Sequence, residues 1–483
     1  MVVVAACFAQ PSFKPRIPTI WDDREIADME IPVSNPAYSP HHVSAEYYYR
    51  IPVRPIYRTY PVYAPGRAPQ GYLDSLRQKK PEIVFDASHL RTRQDWVRAG
   101  EAVFDAPTSY DDPFKVEDTL DAEWWSTVKP PVLRDGTLAG LRYVVRKKGE
   151  VELGSLSCGT CHTRILSDGT LVKGGQGNFP FDRALAWRDR RSPEHKVRNT
   201  FLLLFTAQWV PARQAQISRM SVEELAGARE AIPPGALARN RSSVFHPVAV
   251  PDLFGVQQRK YLDKSGLTIQ RSVEGLMRYA AMAEGLDFLS DYGGFIPTGK
   301  EFRDRPSAES QERFSEEQLY SLALYLSELA PPSNPNRMNA VSERGRNIFA
   351  REGCPTCHTP PLYTANKLLP VRGFQVPPEH RQKYDILDID IGTDPTLALE
   401  TRRGTGYYKI PSLRSVWCRG PFEHNGSVAT LEDWFNPARL REDYVPTGFK
   451  GYGVKTRAVP GHQFGLKMSP TDKAALIAFL KTL

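Results

Sequence analysis

Two short stretches of the 483-residue chain place two thiols and an imidazole side by side. Each reads Cys-x-x-Cys-His, once with Gly-Thr and once with Pro-Thr between the cysteines. Thiols at this spacing can form two thioether bonds to the vinyl groups of one haem, and the histidine that follows can ligate its iron. A zinc site would need four ligands close together, whereas these stretches lie almost 200 residues apart. The chain is therefore predicted to hold two covalently bound c-type haems, attached at Cys158, Cys161 and His162 (the first motif) and at Cys354, Cys357 and His358 (the second motif).

The segments that follow the two motifs repeat each other. Residues 251–266 and 411–426 share a Pro-to-Gly spacing of 15 residues, and each half ends in an apolar helix after a capping serine. The first half carries about 36 additional residues between its motif and Pro251. Insertions of this size usually form loops over a site. The repeat predicts two haem domains of the same kind.

The repeat also compares the two iron sites position by position. Each candidate for a second axial ligand in the second half aligns with a poor ligand in the first: His424 with Lys264, His462 with Ala308, and Met468 with Phe314. An iron with two protein ligands suits electron transfer, whereas an iron with an open face can bind peroxide or dioxygen. The first haem is therefore predicted to be reactive, with Lys264 and Phe314 near it, and the second to relay electrons.

Several candidate residues keep two interpretations. His195 and His246 of the insertion are alternative ligands of the first iron, or ordinary surface or core histidines. Gln176, in a glycine-rich loop after the first motif, can polarise a bound O–O bond or simply belong to a turn. Arg414 suits a haem propionate. The acidic run around residue 390 is a candidate Ca²⁺ site or a solvated loop, with the residues Asp385, Asp388, Asp390 and Asp394.

The stretch YYKIPSLRSVWCRGPFEHNGSVATLEDWFNP, residues 407–437, resembles the bacterial di-haem cytochrome c peroxidase superfamily. That superfamily includes the tryptophan-modifying di-haem enzyme of methylamine metabolism and the di-haem rubber oxygenases. Residues 345–349 and 461–465 are similar to it as well. The resemblance is strong over 338–483, fair over 150–330 and absent over 1–149. It implies two cytochrome c-like helical domains, a substrate at the N-terminal haem and electron exchange at the C-terminal one.

The chain departs from the family pattern at the iron ligands. Classical members carry a distal histidine soon after the first motif, but here none occurs between His162 and His195. The classical peroxidases usually have methionine on the second haem, which would be Met468 here. The rubber oxygenases have a histidine before the last helix, and on this resemblance His462 is the preferred ligand. The methylamine enzyme implies a tyrosine alternative, Tyr444 or Tyr452. His424 resembles a common superfamily residue and is interpreted as a structural neighbour of the second haem.

Composition bounds the fold and the partners. The hydrophobic fraction of 41% and the charged fraction of 24% are typical of a globular protein. The sequence contains no run of 18 apolar residues, so it predicts no transmembrane span. It contains no basic tract either, so nucleic-acid binding is not predicted. The net charge of +8 favours an acidic redox partner protein. The predicted fold is mainly α, with a Pro/Tyr-rich irregular segment over 10–149, one haem domain over 150–331 and another over 338–483.

The N-terminus, MVVVAACFAQ, has three interpretations. Residues 1–9 are the remnant of a signal peptide, a lipid anchor attaches at Cys7, or the stretch is an ordinary terminus with a free thiol. Because haem is usually attached outside the cytoplasm, a periplasmic or extracellular location is expected. The leading hypothesis is an exported peroxidase-like oxidoreductase. Its alternatives are an electron-transfer subunit with two six-coordinate haems and a haem dioxygenase acting on an apolar substrate.

Overall fold

The computed structural model describes residues 13–191, 206–238, 242–303 and 312–483. The signal-like stretch with Cys7 lies outside these ranges, as do His195 and Ala308. No helix within the described ranges has the length and apolar character that crossing a bilayer requires.

Helices outnumber strands and are mostly short. Those before residue 200 are Asp23–Ala27 (α1), Ala45–Arg50 (α2), Tyr72–Arg77 (α3), Arg93–Asp105 (α4), Val116–Leu120 (α5), Ala122–Val128 (α6), Cys158–His162 (α7) and Phe181–Arg191 (α8). Those after it are Pro211–Arg219 (α9), Val222–Glu230 (α10), Val273–Ala283 (α11), Lys300–Arg303 (α12), Glu316–Glu328 (α13), Ala340–Arg351 (α14), Pro378–Lys383 (α15), Thr396–Leu399 (α16), Leu431–Trp434 (α17) and Pro470–Lys481 (α18). This helix content agrees with the predicted mainly α class.

The strands form small antiparallel sheets. They are Thr59–Tyr63 (β1), Ser109–Tyr110 (β2), Thr137–Val144 (β3), Glu152–Ser155 (β4), Thr163–Ile165 (β5), Leu171–Lys173 (β6), Ala236–Leu237 (β7), Val248–Ala249 (β8), Tyr261–Leu262 (β9), Thr268–Ile269 (β10), Leu368–Pro370 (β11) and Tyr407–Lys409 (β12). The largest sheet has the order β1-β3-β4-β2, with Tyr60 opposite Tyr143 and Arg142 opposite Gly154. The other sheets pair β5 with β6, β7 with β8, β9 with β10, and β11 with β12.

The segment before residue 150 contains more helix than the sequence predicted. Helix α4 has 13 residues and begins with a capping box, in which Thr92 and Asp95 each accept a hydrogen bond from the other's backbone N–H. Its apolar residues recur at helical spacing, and Trp96, Val103 and Phe104 are buried. The helix therefore forms because one of its faces is covered by the rest of the protein.

Helix α4 packs on α13 in the same way that α14 packs on α18. A Cβ atom on Gly100 of α4 would lie 1.9 Å from the carbonyl oxygen of Ser321, and one on Gly345 of α14 would lie 1.9 Å from that of Ala475. Each crossing also has an aromatic pair with ring centroids 5.3 Å apart, Phe104–Tyr325 and Phe349–Phe479. Each half of the chain thus contains one close helix crossing that depends on glycine.

The sequence carries this repeat, but the sequence analysis missed it. Gly100, Val103 and Phe104 have the same spacing as Gly345, Ile348 and Phe349. In the second half the helix leads directly into the Cys-x-x-Cys-His motif, whereas in the first half β2–β4, α5 and α6 intervene. A boundary at residue 150 therefore separates α4 from the helix on which it packs.

The segments 251–266 and 411–426 share a backbone conformation. Left-handed φ values recur at three matching positions: Gly255 (67°) and Ser415 (60°), Asp263 (63°) and Glu423 (70°), and Gly266 (68°) and Gly426 (78°). Such values are uncommon for residues other than glycine, so their recurrence is a specific match. We call these segments the paired loops.

Candidate haem-binding sites

The first motif forms the short helix α7. Ser157 caps it by accepting a hydrogen bond from the backbone N–H of Thr160 at 3.0 Å. The Nδ1 of His162 donates to the carbonyl oxygen of Pro251 at 3.0 Å, which leaves Nε2 as the unprotonated nitrogen of the neutral ring. Burial lowers the pKa of His162 to about 4, so the ring is neutral at pH 7. A neutral, oriented imidazole is what a metal ligand requires.

The cysteine thiols are unsuited to redox exchange. The five described cysteines are free of disulfides. Burial raises the pKa of the Cys158 thiol well above its usual value, and the carboxyl of Glu284, 3.8 Å from its Sγ, adds to the effect. Burial likewise raises the pKa of Cys354 to about 11. Catalytic dithiols have lowered pKa values, so these pairs fit covalent attachment better than disulfide exchange.

The second motif begins as a 3₁₀ turn over Cys354–Thr356. The Nδ1 of His358 donates to the carbonyl oxygen of Tyr363 at 3.0 Å, and the carbonyl of Pro411 is a second acceptor. Pro411 holds in its paired loop the position that Pro251 holds in the other. Burial lowers the pKa of His358 to about 4. Burial therefore keeps both motif histidines neutral, and hydrogen bonds to backbone carbonyls orient their rings.

A cavity of about 430 Å³ opens beside the second motif and is lined by Cys354, Cys357, His358 and His462. The rings of His358 and His462 face each other with centroids 6.4 Å apart and planes inclined at 53°. Metal–imidazole bonds are about 2 Å long, so a metal between two imidazoles separates their centroids by roughly 6 Å. The pair has the spacing of two ligands on opposite sides of one metal.

His462 is held by its backbone and by neighbouring rings. Its φ is 45°, its N–H donates to Ile391, and its carbonyl oxygen accepts from the fully buried Arg439 at 2.8 Å. The ring of Trp434 lies edge-on at 5.1 Å. The Nδ1 of His462 is buried without a hydrogen-bond partner in the described part of the chain. A buried ring nitrogen without a partner is costly unless the site holds a group that uses this histidine.

The other candidates for the second axial ligand lie elsewhere. Met468 packs in the core of the second half, where its Cε is 3.0 Å from the Cβ position of Gly465. Tyr444 and Tyr452 do not line the cavity, and Tyr452 contacts Gly227. His424 does line it, but its Nδ1 hydrogen-bonds with Glu423 at 3.1 Å and its ring stacks on Tyr408. The geometry therefore favours His462.

The residues expected around the first iron are not together. Gln176 and Lys264 line the cavity of the second motif. Phe314 is 2% exposed and lies in a hydrophobic core with Leu319 and Leu322. A side chain of one half can lie at the site of the other half, depending on how the two halves pack. The repeat in the sequence does not contain this information.

Gln176 ties the halves together. Its amide nitrogen donates to the carbonyl oxygens of Gly235 and Pro421 at 3.1 and 2.9 Å, and its side-chain oxygen accepts from the N–H of Gly420 at 3.1 Å. Both the nitrogen and the oxygen of the side-chain amide are thus hydrogen-bonded to backbone groups, which favours a structural role for this side chain.

Replacing Gln176 with leucine is expected to lower the free energy of unfolding by about 2 kcal/mol or more. The substitution leaves the carbonyl of Pro421 and the N–H of Gly420 without this partner, whereas the carbonyl of Gly235 keeps the N–H of Val250. Each buried group left without a partner costs about 1–3 kcal/mol. Denaturant titration of the purified protein measures the loss. Gln382→Leu, at an exposed position of α15, is the matched control. Equal stability of the two variants would contradict a structural role for Gln176.

Other expected ligands have local partners. The Nε2 of His246 is 3.4 Å from a carboxylate oxygen of Glu400, and no second histidine ring contacts His162 in the described ranges. Arg414 is exposed and does not line the cavity, whereas Arg419 does. The sequence analysis missed Arg419, although it matches Arg259 of the other paired loop.

The four aspartates of the acidic run do not form a calcium site. Among the described residues no group of three or more acidic, histidine or cysteine side chains is arranged to hold a metal. Each aspartate has its own local partner instead: Asp385 pairs with Lys260, Asp388 with Arg381, Asp390 with Arg372, and Asp394 with the N–H of Thr396. The calcium prediction is therefore wrong for these residues.

Comparison with known proteins finds sequence similarity over short parts of this chain. No protein-family model matches the chain. A cytochrome-c peroxidase, IdrP1 of Denitromonas iodatirespirans, is 29% identical over 126 residues, 20% of this chain and 30% of that protein. The uncharacterised protein y4iJ of Sinorhizobium fredii (strain NBRC 101917 / NGR234) is 34% identical over 105 residues, 16% of this chain and 18% of that protein. The chain thus matches less than a third of either relative's length.

Two solved structures align with low scores. Hydrazine synthase of Kuenenia stuttgartiensis has a TM-score of 0.29 at 14% identity, covering 60% of this chain and 88% of that one. A MauG-like protein associated with microbial copper homeostasis has a TM-score of 0.30 at 16% identity, with the same coverages. The sequence similarity to the peroxidase is distant and is confined to a fifth of this chain.

Proposed function

We propose that the chain is a di-haem c-type oxidoreductase with peroxidase-like activity. The haem at the first motif meets peroxide, and the haem at the second motif relays electrons. The observation that carries the proposal is the facing pair His358 and His462, which has no described counterpart at His162. An iron between two imidazoles has no open face, whereas an iron on a single imidazole has one. Distant similarity to a cytochrome-c peroxidase supports the same class of reaction.

Bound haem supplies an iron that exchanges single electrons and, where one face is open, takes up peroxide. The chain's own residues hold and orient the group. The cysteines fix its edge by thioether bonds, and the carbonyl of Pro251 fixes the ring orientation of His162. At the second motif, the rings of Trp434 and Phe435 help to line the cavity and limit the access of water. Exclusion of water favours a fast electron relay over ligand exchange.

The test is the absorption and EPR spectrum of the purified holoprotein, as isolated, half-reduced and after peroxide addition. One high-spin and one low-spin ferric signal are expected, and peroxide should change the high-spin signal first. In a variant with both Cys158 and Cys161 replaced by alanine, the high-spin signal and the peroxide response should disappear. The matched variant of Cys354 and Cys357 should lose the low-spin signal instead.

Two low-spin signals that do not change on peroxide addition, in either the as-isolated or the half-reduced protein, would contradict the enzyme hypothesis. They would support an electron-transfer cytochrome instead. A high-spin signal that responds to dioxygen but not to peroxide would point to oxygenase chemistry. The proposal also includes export to the periplasm or cell surface, where c-type haem is attached, and an acidic redox partner protein suited to the net charge of +8.

A further inference from the structure

Five cations line the cavity of the second motif. Four of them, Arg259, Lys264, Lys409 and Arg419, form what we call the cation cluster, whereas Lys367 acts on Cys357. Arg259 and Arg419 occupy matching positions in the two paired loops, and both form ion pairs with the buried carboxylate of Asp252. Each also donates to the carbonyl at the same loop position, Arg259 to Asp252 at 2.6 Å and Arg419 to Ser412 at 2.7 Å. One carboxylate thus neutralises two guanidinium groups only in part.

The two lysines have no carboxylate partner within the described ranges. Lys409 donates from Nζ to the carbonyl oxygen of Tyr261 at 3.2 Å, and Lys264 forms no ion pair there. The carboxylates that act on them are already engaged: Glu423 with His424 at 3.1 Å, and Asp263 with Arg403 at 3.5 Å. The wall therefore carries an excess of positive charge away from bulk water.

This charge is held at a cost. Burial, together with the neighbouring charges of Arg259 and Lys264, lowers the pKa of Lys409 to about 7. Burial and Arg419 lower the pKa of Lys264 to about 8. Buried cations without a counter-charge are energetically unfavourable. Two carboxylates placed in the cavity would remove that penalty.

We propose that Lys264 and Lys409 bind the two propionate carboxylates of the haem at the second motif, and this inference rests on the proposed haem there. Haem carries its propionates on the edge away from its vinyl groups. The charged side chains that influence the pKa values of the Cys354 and Cys357 thiols are Glu352 and Lys367, respectively, rather than the four cations. The cysteines are therefore assigned to the vinyl edge of the haem, and the cation cluster to its propionate edge. Lys264, a residue of the first half, completes the site of the second.

The test is the resonance Raman spectrum of the holoprotein, which contains the propionate bending bands. Lys264→Gln and Lys409→Gln are expected to shift these bands and to lower the reduction potential of the second haem, because each leaves a carboxylate without its cation. Lys264→Arg should keep the wild-type bands. Lys450→Gln, at an exposed position, is the control and should change neither quantity. Thermal unfolding of each variant establishes that it is folded.

The alternative is that the two lysines bind a free anion instead of the haem propionates. Inorganic phosphate serves as the probe for such an anion. Phosphate that binds the wild type but not Lys264→Gln, with unchanged propionate bands, would overturn the proposal. Unchanged bands without phosphate binding would overturn it as well. Haem content per chain separates this result from the proposed function, since a chain lacking haem at Cys354 and Cys357 contradicts the function itself.

Discussion

Replacing His462 with alanine is expected to abolish the low-spin ferric EPR signal of the second haem and to create a high-spin one. His462 faces His358 at the spacing of two ligands on one metal, and no other described imidazole takes that place. Free imidazole added to the variant should restore the low-spin signal, since the cavity left by the side chain accepts the same ring. EPR and absorption spectra of the holoprotein measure both changes.

Met468→Leu is the matched control for this substitution. Its side chain packs in the core with Phe435 and does not line the cavity, so the low-spin signal should persist. A low-spin signal that survives in His462→Ala but disappears in Met468→Leu would assign the iron to methionine. Such a result would overturn the ligand assignment while leaving the two haem attachments intact.

Replacing Gly345 with alanine is expected to lower the free energy of unfolding by about 1–3 kcal/mol or more. The added Cβ would lie 1.9 Å from the carbonyl oxygen of Ala475, so helices α14 and α18 must separate. Gly100→Ala should have an effect of similar size, because its Cβ meets the carbonyl oxygen of Ser321 at the same distance. Denaturant titration of the holoprotein measures the loss.

The control for both glycines is Asn347→Ala, at an exposed position of α14. Alanine favours the helix there, so stability should stay the same or rise slightly. If Gly345→Ala were as stable as Asn347→Ala, the helices would not pack as closely as described. A large loss for Gly345→Ala alone would show that the two crossings are not equivalent.

The parts of the site that depend on neighbouring residues were predictable from the sequence. Five consecutive residues carry each predicted haem attachment, because thioether spacing and the adjacent histidine are local chemistry. His462 was a candidate because it precedes the last helix, and the structure places it opposite His358. The repeat over 251–266 and 411–426 was visible as a spacing, and the two loops share their backbone conformation.

The parts that depend on how the halves meet were not predictable. Lys264 was expected at the first iron, yet it lines the cavity of the second motif, since loops from both halves contribute to that wall. Gln176 was expected to polarise a ligand, yet its amide is used by three backbone groups. Arg419 was overlooked because the repeat was compared only at positions that could ligate iron.

Helix α4 was missed for a different reason. Its glycine and aromatic residues match those of α14, but a sheet and two helices separate it from the motif it accompanies. The repeat is apparent next to the motifs, where the second half has its helix immediately upstream and the first half does not. The signal that relates the two helices is a glycine followed four residues later by phenylalanine, at Gly100 and Phe104 and at Gly345 and Phe349.

The separation of α4 from the first motif also bears on how the chain can be divided and how it folds. Closing a flexible loop costs only about 0.6 kcal/mol more for each doubling of its length, so a long excursion between α4 and the first motif is thermodynamically cheap. The same excursion makes the first half discontinuous along the chain. A fragment that begins at residue 150 would expose the face of α13 that Gly100 and Phe104 cover. Such a fragment should aggregate, whereas one that begins near Thr92 would retain its partner helix.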